Sequence, residues 1–119
     1  MKKKRVAIIG SREFNLPGPI RELIASLGDI EIVSGGAQGA DRIAEKIARE
    51  MGLDIKVFKP DFSRGYDVGK YHERNEAIAD YCDEVHVFWF KPTPGSLSTI
   101  HYAKKHGKEA IIHEMKRTQ

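Results

Sequence analysis

The chain has 119 residues, 40% hydrophobic and 31% charged, which is enough to bury the core of one domain over residues 1–119. No apolar run approaches the roughly 20 residues that span a membrane, so we expect no membrane partner. The single cysteine, Cys82, cannot form an internal disulfide bond, and we therefore expect a cytoplasmic location.

The positive charge is concentrated at the N-terminus. The sequence pI is near 9.0, but four of the 20 basic residues lie in the run Lys2–Arg5. The remaining 16 basic residues are balanced in number by 17 acidic residues. The apolar stretch after this run ends at Gly10, which is too short for a signal peptide. We favour a solvated N-terminal run over a nucleic-acid-binding arm, so a nucleic-acid partner is not favoured.

Five short apolar runs alternate with helical patterns, as in a parallel sheet covered on both faces. The pattern predicts an α/β fold: a Rossmann-like open parallel sheet of about five strands with helices on both faces. The predicted strands cover residues 6–9, 30–33, 55–58, 85–90 and 110–112. The predicted helices cover residues 20–27, 40–51, 71–82 and 97–106, and the last of these is supported only by Leu97, Ile100 and Ala103.

The connections between these elements are of two kinds. Helix-to-strand turns are short and contain one glycine, whereas strand-to-helix loops are rich in polar residues and glycine. Open α/β sheets bind ligands at the carboxyl ends of their strands, where the rich loops lie. The sequence therefore predicts a ligand site at that edge, formed by residues 10–14, 34–41, 60–70 and 91–99.

The second rich loop carries the clearest signal. Gly35, Gly36 and Gly39 stand between a strand and a helix, where exposed N–H groups and the helix dipole favour an anion. The spacing fits neither the dinucleotide fingerprint nor the P-loop, and we favour phosphate binding over a purely structural turn. Gln38 belongs to the same loop. Asp41 either favours the helix dipole or accepts a ribose hydroxyl.

The other rich loops add candidate ligand-binding residues. Arg12, after Gly10 and Ser11, either binds phosphate or pairs with Glu13. Arg74 and Asn75 lie near the start of the third helix. The last loop offers a flexible turn and hydroxyls that bind ligand or cap the helix, at Gly95, Ser96, Ser98 and Thr99.

Several other chemistries lack support in the sequence. His101 and His106 are five residues apart, which is not metal-ligand spacing on a helix, so no metal site is expected. No resident cofactor is expected beyond a nucleotide ligand. Trp89 either lies beneath a base or packs against a second copy of the chain, so a homodimer stays among the expected partners.

The chain resembles the SLOG superfamily, which groups the DNA-processing protein DprA/Smf with LOG-type proteins, and it is most similar to small members of the YspA type. The matching segments are V-A-I-I-G-S-R-E-F from Val6, S-G-G-A-Q-G-A-D-R-I-A from Ser34, Arg74-Asn75 with Ile78, and residues 94–103. The resemblance implies a Rossmann-like fold whose loops bind nucleotides or their derivatives.

The resemblance to LOG-type hydrolases of nucleoside monophosphates is incomplete. Those relatives use an arginine at the Arg74 position and a Pro-Gly-Gly-x-Gly-Thr-x-x-Glu motif, whereas here Pro94–Thr99 is followed by Ile100-His101-Tyr102 without the acid. Gln38 also replaces a frequent arginine. These departures weaken an enzymatic reading more than a binding one.

Three hypotheses follow. The leading one is a domain that binds a nucleotide or a nucleotide-derived phosphorylated ligand, for which sensing is one role. The first alternative is a phosphoribohydrolase or a deoxyribosyltransferase-like enzyme, with catalytic candidates Arg74, Asp41, Glu73 and His101. The second alternative is DprA-like binding of single-stranded DNA.

Overall fold

A five-stranded parallel sheet forms the centre of the computed structural model, which describes residues 3–117. The strands are β1 (Lys4–Gly10), β2 (Ile30–Ser34), β3 (Asp54–Val57), β4 (Glu84–Trp89) and β5 (Glu109–Glu114). The helices are α1 (Pro17–Leu27), α2 (Ala40–Glu50), α3 (Gly69–Tyr81) and α4 (Pro94–Lys105). The predicted α/β fold is confirmed, and every element lies where the periodicity placed it, with ends that differ by a few residues.

Two hydrophobic cores cover the two faces of the sheet, because successive side chains of a strand point to opposite faces. Val6 and Ile8 of β1 pack in one core with residues of α1 and α2. Ala7 and Ile9 pack in the other core with residues of α3 and α4. The order β3–β2–β1–β4–β5 reverses between β1 and β4, and this crossover leaves a crevice at the carboxyl edge of the sheet.

The sequence interpretation of Trp89 was wrong about the direction of its side chain. Trp89 is 3% exposed and packs in the second core, where its indole N–H donates to Glu114 at 3.0 Å. It therefore neither underlies a base nor presents a surface to a partner. Leu97 is 50% exposed, because α4 turns Ser96, Thr99 and Ile100 inward instead.

Residues 3–5 of the N-terminal basic run lie at the amino edge of the sheet, away from the crevice. Lys3 pairs with Asp54 at 2.9 Å, Lys4 pairs with Glu84 at 2.5 Å, and Arg5 lies 4.1 Å from the Tyr81 ring centroid. Lys2 lies outside the described residues. Within residues 3–117, no helix combines the length and apolar character needed to cross a bilayer.

Candidate functional site

A cavity of about 870 Å³ opens at the carboxyl edge of the sheet, between the loops that follow β1, β2, β3 and β4. This volume is within the usual range for small-molecule sites. Most of the predicted ligand-binding residues line it: Gly10, Ser11, Arg12, Gly35, Gly36, Gln38, Asp41, Arg74, Asn75, Gly95, Ser96 and Thr99.

Four of the candidate residues do not line this cavity. A Cβ on Gly39 would lie 2.2 Å from the carbonyl oxygen of Ser11, and Ser98 accepts a hydrogen bond from Asn75 Nδ2 at 3.2 Å. Glu73 pairs with Lys70 at 3.0 Å in solvent. His101 is exposed on α4. Glu73 and His101 are therefore poorly placed for chemistry on a ligand in the cavity.

Asp41 joins the first turn of α2 to the ends of two strands. Its two carboxylate oxygens accept the backbone N–H groups of Gly10 at 3.2 Å and Gly35 at 2.8 Å. Burial raises the pKa of Asp41 from 3.8 to about 7, against the opposing effects of these hydrogen bonds and of Arg74. The carboxylate thus holds the loops after β1 and β2 together.

Arg74 extends from α3 to the loop after β2. Its Nη1 donates to the carbonyl of Gly35, and its Nε donates to Asn75 Oδ1 at 2.8 Å. Burial lowers the pKa of Arg74, and the nearby Asp41 opposes that shift. Hydrogen bonds therefore link the Asp41 side chain, the Gly35 peptide and the Arg74 guanidinium. We call these linked groups the floor of the cavity.

A buried polar pair behind this floor was not predicted from the sequence. Ser34 Oγ donates to Glu45 Oε2 at 2.6 Å and accepts the N–H of Gly36 at 3.0 Å. Both side chains are buried. The sequence signal that could have indicated this pair is the serine directly before Gly35 and Gly36, because a serine hydroxyl can fix a turn by bonding to the backbone.

The glycines of the cavity serve different purposes. A Cβ on Gly10 would lie 2.0 Å from the carbonyl oxygen of Phe88, and one on Gly35 would lie 2.7 Å from Arg74 Nη1. Gly36 has a φ of 71°, in the left-handed region that favours glycine. A Cβ on Gly95, by contrast, would meet nothing within 4 Å. Only this last glycine borders the cavity without a packing or backbone requirement of its own.

The start of α4 is capped by a residue that we did not single out. Thr93 Oγ1 accepts the backbone N–H of Ser96 at 3.3 Å, so Thr93 performs the capping for which Ser96, Ser98 and Thr99 were the candidates. Ser96 instead interacts with the Thr93 hydroxyl at 2.9 Å. The N-terminal turn of α4 faces the cavity with Gly95 and Ser96.

The cavity is lined by more cations than the sequence analysis identified. Arg42, Lys59 and Lys91 join Arg12 and Arg74 along its walls. The proposed pair between Arg12 and Glu13 does not form, because Glu13 pairs with Arg117 at 3.0 Å. Lys59 and Lys91 each come two residues after the end of a strand, β3 and β4, and this position in the sequence could have identified them as candidates. Among residues 3–117, no cluster of three or more histidine, cysteine or acidic side chains could hold a metal.

Comparison with known proteins places this loop arrangement in a family. The sequence profile described as the YspA, cpYpsA-related SLOG family matches residues 4–65, which include β1, β2, α2 and the glycine loop. The chain belongs to this SLOG family. No curated protein sequence matches it significantly.

Two solved structures share the fold. DNA processing protein A (DprA) from Streptococcus pneumoniae is 21% identical with a TM-score of 0.80, over 92% of this chain and 50% of DprA. DNA processing protein A from Helicobacter pylori, described with a unique single-stranded DNA binding mode, is 23% identical with a TM-score of 0.68, over 99% of this chain and 68% of that protein. The chain thus spans about half the length of the first of these proteins.

Proposed function

We propose that this SLOG domain binds a nucleotide or a nucleotide-derived phosphorylated ligand in the cavity at the carboxyl edge of its sheet. The observation that carries the proposal is the charge of the walls: five cationic side chains line the cavity, with only Glu13 and Asp41 as acids. Glu13 is engaged by Arg117, and Asp41 is buried with a raised pKa. The cavity therefore favours an anion.

The chain offers two kinds of donor to a phosphate. Arg12 and the lysines supply charge. In the first turn of α4, Pro94 has no N–H and the N–H groups of Ser96 and Leu97 donate to Thr93, so the turn supplies the backbone N–H of Gly95. Asp41 has both oxygens occupied by backbone N–H groups, so supporting the loops accounts for it better than binding a ribose hydroxyl.

The enzymatic alternative has less support. Among the acidic and histidine candidates, Glu73 and His101 lie outside the cavity, and Asp41 already accepts two hydrogen bonds from the backbone. Stabilising a cationic sugar and activating water calls for a carboxylate next to the sugar. Binding without efficient turnover fits the arrangement best, and sensing is a role consistent with it.

Single-stranded DNA is a second candidate ligand, and one feature favours it. A neighbouring groove of about 560 Å³ shares Arg12, Gln38 and Arg42 with the main cavity and continues to Lys46. A basic track longer than one nucleotide would suit a phosphate backbone.

A homodimer stays a prediction, but the buried Trp89 no longer supports it.

A binding panel tests the proposal. Thermal shift and calorimetry would compare AMP, ADP-ribose, ribose 5-phosphate and a 20-nucleotide thymidine oligomer, since a ligand that binds the folded state raises its apparent stability. We expect saturable stabilisation by AMP or ADP-ribose. Stabilisation by the oligomer alone would favour DNA binding instead, and no stabilisation by any of the four would contradict the proposed function.

A further inference from the structure

Three aromatic side chains form a cluster, two from the connection between β3 and α3 and one from the first turn of α3. The ring centroids are 5.4 Å apart for Phe62 and Tyr66, 5.2 Å for Phe62 and Tyr71, and 6.2 Å for Tyr66 and Tyr71. Tyr66 is 72% exposed and Tyr71 38% exposed. We call this cluster the aromatic rim. It leaves a large apolar surface in water, outside both hydrophobic cores.

The backbone of the connection is held in place without help from the two tyrosine rings. Asp61 accepts the N–H of Ser63 at 3.0 Å, and Asp67 accepts the N–H of Gly69 at 2.8 Å. The N–H of Gly65 donates to the carbonyl of Phe62 at 2.9 Å. These turns fix the path of the chain, so the exposed rings are not needed to close it.

The aromatic rim borders the cation-lined cavity. Phe62 and Tyr71 both line that cavity, together with Lys59 and Arg74. The guanidinium carbon of Arg74 lies 5.8 Å from the Tyr71 ring centroid, which connects the rim to the cavity floor. One wall therefore offers aromatic surface and the others offer positive charge.

A ligand that matches both kinds of wall carries a planar ring and an anionic group. Aromatic side chains stack on nucleobases with little regard to sequence, because every base has a π face. The cavity volume of about 870 Å³ is suited to a mononucleotide rather than to a longer chain. We infer that the aromatic rim is the nucleobase subsite of this cavity, taking the base of a mononucleotide whose phosphate lies among the cavity cations.

This inference rests on the proposed function, and a comparison of two ligands tests the base subsite separately from the proposed function. AMP and ribose 5-phosphate carry the same sugar phosphate, and only AMP carries a base. Stacking on the rim should make AMP bind roughly tenfold to a hundredfold more tightly than ribose 5-phosphate in the unaltered protein.

The variant Tyr66→Ala/Tyr71→Leu removes the exposed rings. We expect it to reduce the preference for AMP to less than about threefold while the affinity for ribose 5-phosphate stays the same. The matched variant Tyr66→Phe/Tyr71→Phe keeps the rings, removes only the hydroxyls and should retain the preference. Because a folding defect would weaken both ligands together, the ratio reports on the base alone.

The possible results distinguish failure of the base subsite from failure of phosphate binding. Equal binding of AMP and ribose 5-phosphate to the unaltered protein, or an unchanged AMP preference in Tyr66→Ala/Tyr71→Leu, would overturn the base subsite and leave phosphate binding intact. If neither compound binds, the mononucleotide subsite is overturned, and if ADP-ribose also fails to bind, the proposed function fails with it. Tight binding of the thymidine oligomer with no measurable AMP binding would reject the mononucleotide as the occupant.

Discussion

The carboxylate of Asp41 accepts the backbone N–H of Gly35 across 2.8 Å, which ties the start of α2 to the end of β2. The other oxygen accepts the N–H of Gly10, at the end of β1. One buried side chain thus fixes the ends of β1 and β2, next to the point between β1 and β4 where the sheet reverses its strand order. The loops that line the cavity are held by this carboxylate before any ligand arrives.

Asp41 should make the stability of the protein depend on pH. Its pKa is about 7 in the folded protein and near 3.8 when unfolded, so the folded state binds more protons between these values. Its contribution is therefore fully present below about pH 4 and is lost as pH rises through about 7, by as much as about 4 kcal/mol. Asp41→Asn, which resembles the protonated carboxyl group, removes this dependence.

Urea unfolding at pH 4.5, 6 and 8 measures this effect. The free energy of unfolding of Asp41→Asn, minus that of the unaltered protein, should increase with pH and level off above about pH 8. A matched variant, Glu22→Gln, changes an exposed carboxylate of α1 and should leave the pH profile unaltered. A difference that stays constant, or that falls with pH, would show that the hydrogen bonds to Asp41 outweigh its burial.

The role of Asp41 shows where sequence reasoning reached its limit. Its position in the first turn of a helix indicated a dipole or ligand role, because those follow from local spacing. Its acceptor role depends on Gly10, 31 residues earlier in the chain, and on the crossover that brings β1 next to β2. Hydrophobic periodicity gives the elements, but not which side chain meets which distant backbone group.

Gly95 and Gly18 provide a matched pair of substitutions. Each follows the proline that begins a helix, and in each case a Cβ would meet nothing within 4 Å. Gly95 lines the cavity, whereas Gly18 lies in α1 outside it. Gly95→Val should reduce AMP affinity at least tenfold by filling space that the phosphate needs. Gly18→Val should bind AMP like the unaltered protein.

Thermal unfolding and calorimetry on both variants separate binding from folding. Both melting temperatures should stay within a few degrees of the unaltered value, because neither side chain enters a packed region. Gly36→Val is a poorer test, since its φ of 71° strains any side chain. Undiminished AMP binding by Gly95→Val would place the phosphate away from the start of α4.

The charge of the cavity was hidden in the overall composition. Outside the N-terminal run, basic and acidic residues are nearly equal in number, and on this balance a nucleic-acid partner is not favoured. In the structure, acids such as Asp54 and Glu84 pair with Lys3 and Lys4 at the amino edge. A net charge cannot report such segregation, because it contains no information on which loops meet in space.

Removing the two lysines of the cavity should weaken binding electrostatically. Lys59→Gln/Lys91→Gln should lower AMP affinity roughly threefold to thirtyfold at low ionic strength, and less at high salt because mobile ions screen exposed charges. Lys104→Gln/Lys116→Gln removes two exposed lysines that do not line the cavity and is the matched control. Equal losses in both double variants would indicate a general charge effect rather than a site.

The protein should bind nucleoside monophosphates and release their bases slowly or not at all. Catalysis requires a group that acts more strongly on the transition state than on the bound ligand. The LOG-like pattern supplies a carboxylate in the last loop, whereas here that loop leads to His101, which is exposed and lies outside the cavity. Asp41 cannot readily replace it, because rotating the carboxylate toward a ligand would abandon two backbone N–H groups in a buried place.

Adenine release from AMP, followed by chromatography at micromolar protein, measures this directly against calorimetric binding of the same compound. We expect a dissociation constant that can be measured together with a release rate close to that of a protein-free sample. Glu73→Gln should change neither quantity, since Glu73 pairs with Lys70 in solvent. Rapid release that disappears in Arg74→Ala would contradict the prediction. In that case Asp41 would have to leave Gly10 and Gly35 during turnover, and Asp41→Asn should then abolish release while AMP still binds.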